Sequence, residues 1–193
     1  MRARRRLWSL AVAVWISAPH ALAGDVKGVL KLERATDAER TVVYVESVPE
    51  GTRAPNVPEP KLSQKGARFR PPLLPVVKGS TVDLTNDDWV SHSIFSKSKT
   101  QTFDLGIYGQ DVKKSLTFNT LGVIEVSCSI HPRMNAEILV LPNGFFAKPS
   151  TDGAFLLAGV PAGKRQLVVY RMGGQTRTLS ITVPATGAVE AAP

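Results

Sequence analysis

A seven-residue loop, Cys128-Ser129-Ile130-His131-Pro132-Arg133-Met134, constrains this chain more than any other stretch. It carries the single cysteine, one of three histidines and one of three methionines, with two residues between each successive pair. Just upstream, Val123-Ile124-Glu125-Val126-Ser127-Cys128 alternates with a period of two. Ile124, Val126 and Cys128 then share one strand face, and Glu125 and Ser127 the other. A fold that accepts this segment has to end a strand on an inward sulfur and turn His131 and Met134 back towards it.

Thiolate, imidazole and thioether suit copper, and a trigonal pair of imidazoles with one thiolate and a distant axial Met is the blue-copper pattern. The loop supplies three of those four groups. Because His20 falls in a leader segment, His92 is the one candidate for the second imidazole in the mature chain. Other chemistries remain open at this point. A lone cysteine is usually a small buried hydrophobe, and in an exported protein it can pair between chains. Zinc would want more Cys or His, and a Cys-His nucleophile would need an orienting third group and an oxyanion site.

Residues 1–23 have the build of a secretory signal: Arg2, Arg4, Arg5 and Arg6, an apolar run from Leu7 to Ala18, and Ala21-Leu22-Ala23 as the cleavage site. That run is shorter than the roughly 20 residues a span requires, so the expectation is cleavage, a periplasmic protein and no membrane span afterwards. The net charge of +8 shrinks on cleavage, since four of 24 basic residues leave with the segment and 20 face 16 acidic ones. Without a run of basic residues, this excess gives no reason to expect nucleic acid as a partner. One cysteine excludes an internal disulfide, and the remaining length can bury a core unaided.

Short runs punctuated by Gly, Pro, Asn and Asp fill residues 62–142. They include Arg68-Phe69-Arg70, Leu73 to Val77, Thr81 to Thr85, Ser93 to Ser96, Ser115 to Phe118, Val123 to Ser127 and Ala136 to Leu141. No stretch has a helical period, so the class is all-β, a sandwich or barrel. Before them lie strand-like runs at Val26 to Leu32 and Val42 to Val45, then a linker over 49–61 rich in proline. Residues 185–193 read as a flexible tail.

Val76 to Asp88, Ser91-His92-Ser93-Ile94-Phe95 and Gly122 to Met134 resemble a cupredoxin of the plastocyanin and amicyanin kind, with the plastocyanin-like methylamine-utilisation proteins nearest. Phe103 to Tyr108 and Ile130-His131-Pro132 belong to the same likeness. The resemblance implies a Greek-key sandwich holding one type 1 copper ion, with His92, Cys128 and His131 as equatorial ligands and Met134 on the axis. It also implies single-electron transfer to a redox partner such as a cytochrome or dehydrogenase. Ser93 and Ser129 stand where many cupredoxins have Asn, which implies a looser tie between the ligand loops, and Val126 stands where an aromatic is common.

Thr151-Asp152-Gly153-Ala154-Phe155 and Val160-Pro161-Ala162-Gly163 resemble turns of the carboxypeptidase regulatory-like β-sandwich. Residues 24–48 and 143–184 would then form a discontinuous domain interrupted by the cupredoxin. Pro132 and its apolar neighbours are expected to dock a partner, with Arg133, Lys97 and Lys99 as a basic rim steering an acidic one. Two mature histidines cannot build a further copper cluster, so an enzyme is not expected. The competing function is copper buffering or delivery outside a redox chain. A scaffold with an incidental copper site is the third.

Overall fold

The computed structural model describes residues 22–192. The expected leader, apart from its last two residues, lies outside them. The described residues are almost entirely β, in four sheets. Among them no helix is long and apolar enough to cross a membrane.

Residues 61–141 build an inner sandwich. One sheet runs in the order Leu73–Val77, Asn135–Leu141, Gly122–Ser127, His92–Ser98, Gln101–Tyr108; the other in the order Phe69–Arg70, Lys61–Gln64, Thr81–Asn86, Lys113–Thr117. Alternation decides which side faces in. In Thr81–Asn86 the side chains of Val82, Leu84 and Asn86 are buried and the intervening ones are not. Ile124 and Val126 are fully buried while Glu125 is exposed, so the period of two carries Cys128 into the same core. Leu62, Ile94, Phe118 and Ile138 fill the space between the sheets.

Described residues on either side of 61–141 combine outside this sandwich. Ala23–Val29 pairs antiparallel with Ala154–Pro161 and parallel with Ala188–Ala191. Thr41–Val45 pairs antiparallel with Phe146–Ala147 and with Gly163–Arg171, which in turn pairs with Gln175–Val183. Val26, Val43, Val45, Phe155, Leu157, Val160 and Leu167 form the core between these sheets.

Several expectations need correction. The supposed tail is ordered: Ala188–Ala191 is a strand, because Asp25 donates its N–H to the Gly187 carbonyl at 2.8 Å and Gly28 leaves room for the strand to approach. A side-chain carbon at Gly28 would collide with the Ala191 carbonyl. The first strand begins and ends earlier than Val26 to Leu32. Lys61 opens a strand and does not close the linker; Lys61–Gln64 has one apolar residue, and its parallel pairing with Thr81–Asn86 supplies what its own pattern lacks.

Asn135–Leu141 explains how the two sandwiches meet. Six of its seven residues are buried because both faces are covered, which gives the near-continuous apolar run typical of a doubly packed strand. Ala136, Ile138 and Val140 enter the inner core. Leu139 and Leu141 point the other way, into a second cluster with Val42, Leu73 and Tyr170. Glu137 also faces outward and is buried; Tyr170 donates its hydroxyl to Glu137 Oε2 at 2.7 Å, and the Gly173 N–H donates to Oε1 at 3.0 Å. Burial, and then the hydrogen bond to this carboxylate, raise the Tyr170 phenol above its usual range. The pair is matched because the phenol remains a donor at all ordinary pH values.

Tyr170→Phe leaves one oxygen of a buried carboxylate without a donor, so denaturant unfolding of the full chain should lose about 1.5–3 kcal/mol of stability. A loss below about 0.5 kcal/mol, the size of an ordinary surface change, would show that the contact does not tie the sandwiches together.

Candidate metal centre

The four candidate side chains come from three places that the inner sheet brings to one pole. His92 opens the strand His92–Ser98. Cys128 directly follows Gly122–Ser127, and Met134 directly precedes Asn135–Leu141. Ser127 stands opposite Asn135 on one side and Phe95 on the other, so the loop between Cys128 and Met134 closes over the end of the strand carrying His92. Its closure is hydrogen-bonded: Cys128 N–H to the Met134 carbonyl at 3.3 Å, and Met134 N–H to the His131 carbonyl at 2.9 Å.

The structure brings His92, Cys128 and His131 together, with one ligand atom from each lying within 4.8 Å of the others. The two Nδ1 atoms are 3.0 Å apart, and Cys128 Sγ is 3.9 Å from His131 Nδ1. The rings are tilted at 56° with centroids 4.7 Å apart. His92, Cys128 and Met134 are buried; His131 keeps part of its ring exposed. Met134 packs in the same core cluster as Cys128.

These spacings fit a metal ion. Metal–nitrogen bonds of about 2.0–2.1 Å and a metal–thiolate bond of about 2.3 Å, at roughly 120°, put nitrogens ~3.5 Å apart and nitrogen and sulfur ~3.8 Å apart. The imidazole pair is slightly closer and the sulfur pair matches. Two facing Nδ1 lone pairs need either a shared proton or a cation between them.

Asp88 decides which nitrogen of His92 faces the cluster, and sequence reasoning missed it. His92 Nε2 lies 3.0 Å from Asp88 Oδ2, and the same oxygen accepts the Ala67 N–H at 2.9 Å; Oδ1 accepts the Trp89 N–H at 3.1 Å. Those donors, the Ala67 amide first and His92 next, hold the carboxyl below its usual range. An ionised carboxylate only accepts, so Nε2 carries the hydrogen and Nδ1 of neutral His92 presents its lone pair to the cluster. An acidic residue four positions before a candidate ligand His was the available signal. Buried Asn86 shapes the same turn, donating from Nδ2 to the Val90 and Tyr108 carbonyls at 2.8 and 3.0 Å.

The serines do not leave the site loose. Ser93 and Ser129 hydroxyls are 2.8 Å apart, and the Ser129 N–H donates to Ser93 Oγ at 2.8 Å, so the two ligand loops are bonded without an asparagine. With the Ser129 hydroxyl as donor, that of Ser93 is free to reach Cys128 Sγ at 3.7 Å beside the Ser93 N–H at 3.5 Å. Burial alone pushes the Cys128 thiol up, but backbone N–H groups of Ser93, Ile130 and His131 outweigh it and bring it down to about 6. Val126 is fully buried where an aromatic was the commoner choice.

Pro132 and Arg133 are exposed beside His131. Lys97 and Lys99 are not their neighbours. They sit at the turn between His92–Ser98 and Gln101–Tyr108, and five residues at ~3.3 Å each put Lys97 about 16 Å down the strand from His92. Period-two reading places residues on faces; it does not place them at the same end.

No protein-family model matches the chain, and no curated protein does. Among solved structures it is similar to a purple cupredoxin from Nitrosopumilus maritimus, at 24% identity over 42% of this chain and 99% of that one, with a TM-score of 0.40. It is similar to amicyanin from Paracoccus versutus at 22% identity, covering 51% of this chain and 96% of that one, TM-score 0.40. A copper-containing nitrite reductase from Thermus scotoductus matches at 25% identity over 48% of this chain and 24% of that one, TM-score 0.41. Each of these comparisons concerns about half of the chain or less.

Ultraviolet thiolate absorbance of the metal-free protein should rise with a midpoint near pH 6. A midpoint at or above the ordinary thiol range of about 8.5 would mean that the amides around sulfur are not oriented as described.

Proposed function

We propose that this protein is an exported, periplasmic type 1 copper protein that carries single electrons between redox partners and has no catalytic activity of its own. The observation that carries the reading is the buried convergence of His92 Nδ1, His131 Nδ1 and Cys128 Sγ, with one imidazole edge reaching the surface. His92, His131 and Cys128 would hold the ion, with Met134 from the same core cluster as the fourth donor. A bound copper ion would supply the Cu(II)/Cu(I) couple.

The residues divide the remaining work. Asp88 holds His92 in the tautomer whose Nδ1 is free, and the Ser93 and Ser129 bonds hold the two loops at a fixed separation. Sulfur accepting N–H bonds in a buried pocket has its charge partly balanced before a metal arrives, and the tight core around Ile94, Val126 and Ile138 excludes water. A frame that does not rearrange when the charge changes suits repeated one-electron traffic. His131, the least buried of the four, is the port.

Delivery of copper to an acceptor is less well served, because an incoming ligand would have to reach an ion shielded by three buried side chains. The signal-like residues 1–23 and the copper-suited donor set support export to the periplasm. We also read the outer sheets, assembled from residues on either side of the inner sandwich, as a carboxypeptidase regulatory-like domain interrupted by a cupredoxin domain.

Adding Cu(II) to the metal-free protein should produce an intense visible absorption that Cys128→Ser abolishes, and the copper form should give a reversible one-electron wave at an electrode. A colourless complex, or a bound ion that does not cycle, would remove the electron-carrier reading. Asp88→Ala removes the acceptor from His92 Nε2 and should lower Cu(I) affinity about 10–100-fold in competition with a chelator. Unchanged affinity would separate Asp88 from the site.

A further inference from the structure

An open groove of about 750 Å³ runs from the metal centre across to Glu39 and Arg40 of the outer part. Its walls carry Arg68 and Arg70 from the hairpin beside Ala67, Arg133 from the Cys-to-Met loop, and Arg40 from the short 3-10 turn Ala35–Arg40 of the outer part. His131 lies in the same wall. All four arginines are exposed, and the one carboxylate among the lining residues is that of Glu39. Among the described residues none of the four guanidinium groups pairs with a carboxylate; the ion pairs formed elsewhere involve Arg34, Lys61, His92 and Lys113.

Unpaired like charges gathered in one concavity repel one another, and an oppositely charged surface relieves that repulsion. A site for a small anion would converge its donors in an enclosed pocket. Here the arginines are spread along an open groove spanning both parts of the chain, which matches an extended acidic surface. The groove also contains the exposed edge of His131, so whatever covers it is brought against the proposed electron port.

We propose that the groove lined by Arg40, Arg68, Arg70 and Arg133 beside His131 is the docking surface for an acidic redox protein, with the outer part of the chain contributing Arg40. This rests on the electron-carrier reading and names its partner class. In the docked pair one electron would pass from the partner's reduced centre to a copper ion held by these residues, Cu(II) becoming Cu(I), with no bond formed between the two proteins. For a reduced flavin partner, the neutral hydroquinone would give one electron to the copper ion and one proton to solvent, with loss of one N–H bond, and become the neutral semiquinone.

The test uses the full chain loaded with Cu(I) and an oxidised flavodoxin, an acidic one-electron protein, as the probe. Titration followed by nuclear magnetic resonance should shift amides at residues 39–40, 66–70 and 131–135 and leave 97–102 unmoved. Reversing charge with Arg40→Glu and Arg68→Glu together should weaken binding about tenfold or more at low salt, and the difference should fade as the screening length drops below ~8 Å. Lys97→Glu with Lys99→Glu, matched in charge but at the far end of the strand, should change it less than about twofold. No binding, shifts confined to other surfaces, equal losses from both pairs, or displacement of flavodoxin by millimolar phosphate at constant ionic strength would each overturn the proposal. The last would assign a small-anion site. Electrode cycling keeps the outcomes separate: a reversible wave without groove binding ends the docking idea alone, whereas groove binding without a wave ends the electron-carrier reading and leaves an anion-recognition surface.

Discussion

The hydrogen-bonded register around Ser127 is the constraint on which the metal centre depends. Ser127 pairs with Phe95 on one neighbour and Asn135 on the other, so a slip of one residue would turn Cys128 out of the core and exchange it for Ser127 or Ser129. Core burial of Ile124 and Val126 resists that slip, because both would leave the interior with the sulfur, and Ile94 and Ile138 on the neighbouring strands would lose them as packing partners. Hydrophobic packing therefore sets the position of a polar site. The Ser93 to Ser129 bonds act on what remains, the distance between the His92 strand and the loop, and they do so with hydroxyls short enough to fit beside the sulfur.

Asp88 links this centre to the surface. Its Oδ2 accepts from His92 Nε2 and from the Ala67 N–H, and Ala67 lies in the hairpin that presents Arg68 and Arg70. That hairpin turns tightly, with Gly66 and Ala67 both at positive φ and Lys65 N–H bonded to the Arg68 carbonyl at 2.9 Å. A load on the arginines is thus two hydrogen bonds from the buried imidazole. On the other flank His131 meets the same groove directly, so both imidazoles connect with one surface, one through its ring edge and one through a carboxylate.

The inner strands were legible wherever alternation ran for four or more residues, as in Val82 to Thr85 and Val123 to Ser127, and the loop ligands were legible because Cys128, His131 and Met134 are near one another in sequence. His92 was found by scarcity of histidine, a property of this chain and not of the motif. Asp88 escaped because its role depends on a turn that places residue i under residue i+4, and no periodicity reports that. Lys61–Gln64 escaped because one of its two buried residues is the polar Gln64, and Gln101–Tyr108 because most of its inward face is only half-buried; each is held by pairing to a stronger neighbour. Ala188–Ala191 looked like a tail since its partner lies at the opposite end of the chain, where Gly24 and Gly28 clear the way.

The outer sheets change what the inner sandwich is. A sandwich standing alone would present a solvated outer face on the strand after Met134, and its sequence would alternate. Here Leu139, Leu141 and Glu137 on that face are buried against Val42 and Tyr170, and Leu73 on the neighbouring strand joins them. Cutting the inner part free would expose an apolar patch and strip a carboxylate of its phenol and amide donors. The cost would fall on the strand that begins one residue after Met134 and on the Leu73–Val77 strand paired with it, the pair that anchors the ligand loop at its downstream end. Because this support and Arg40 both come from residues outside 61–141, the same outer sheets that brace the metal loop also complete the charged groove beside it.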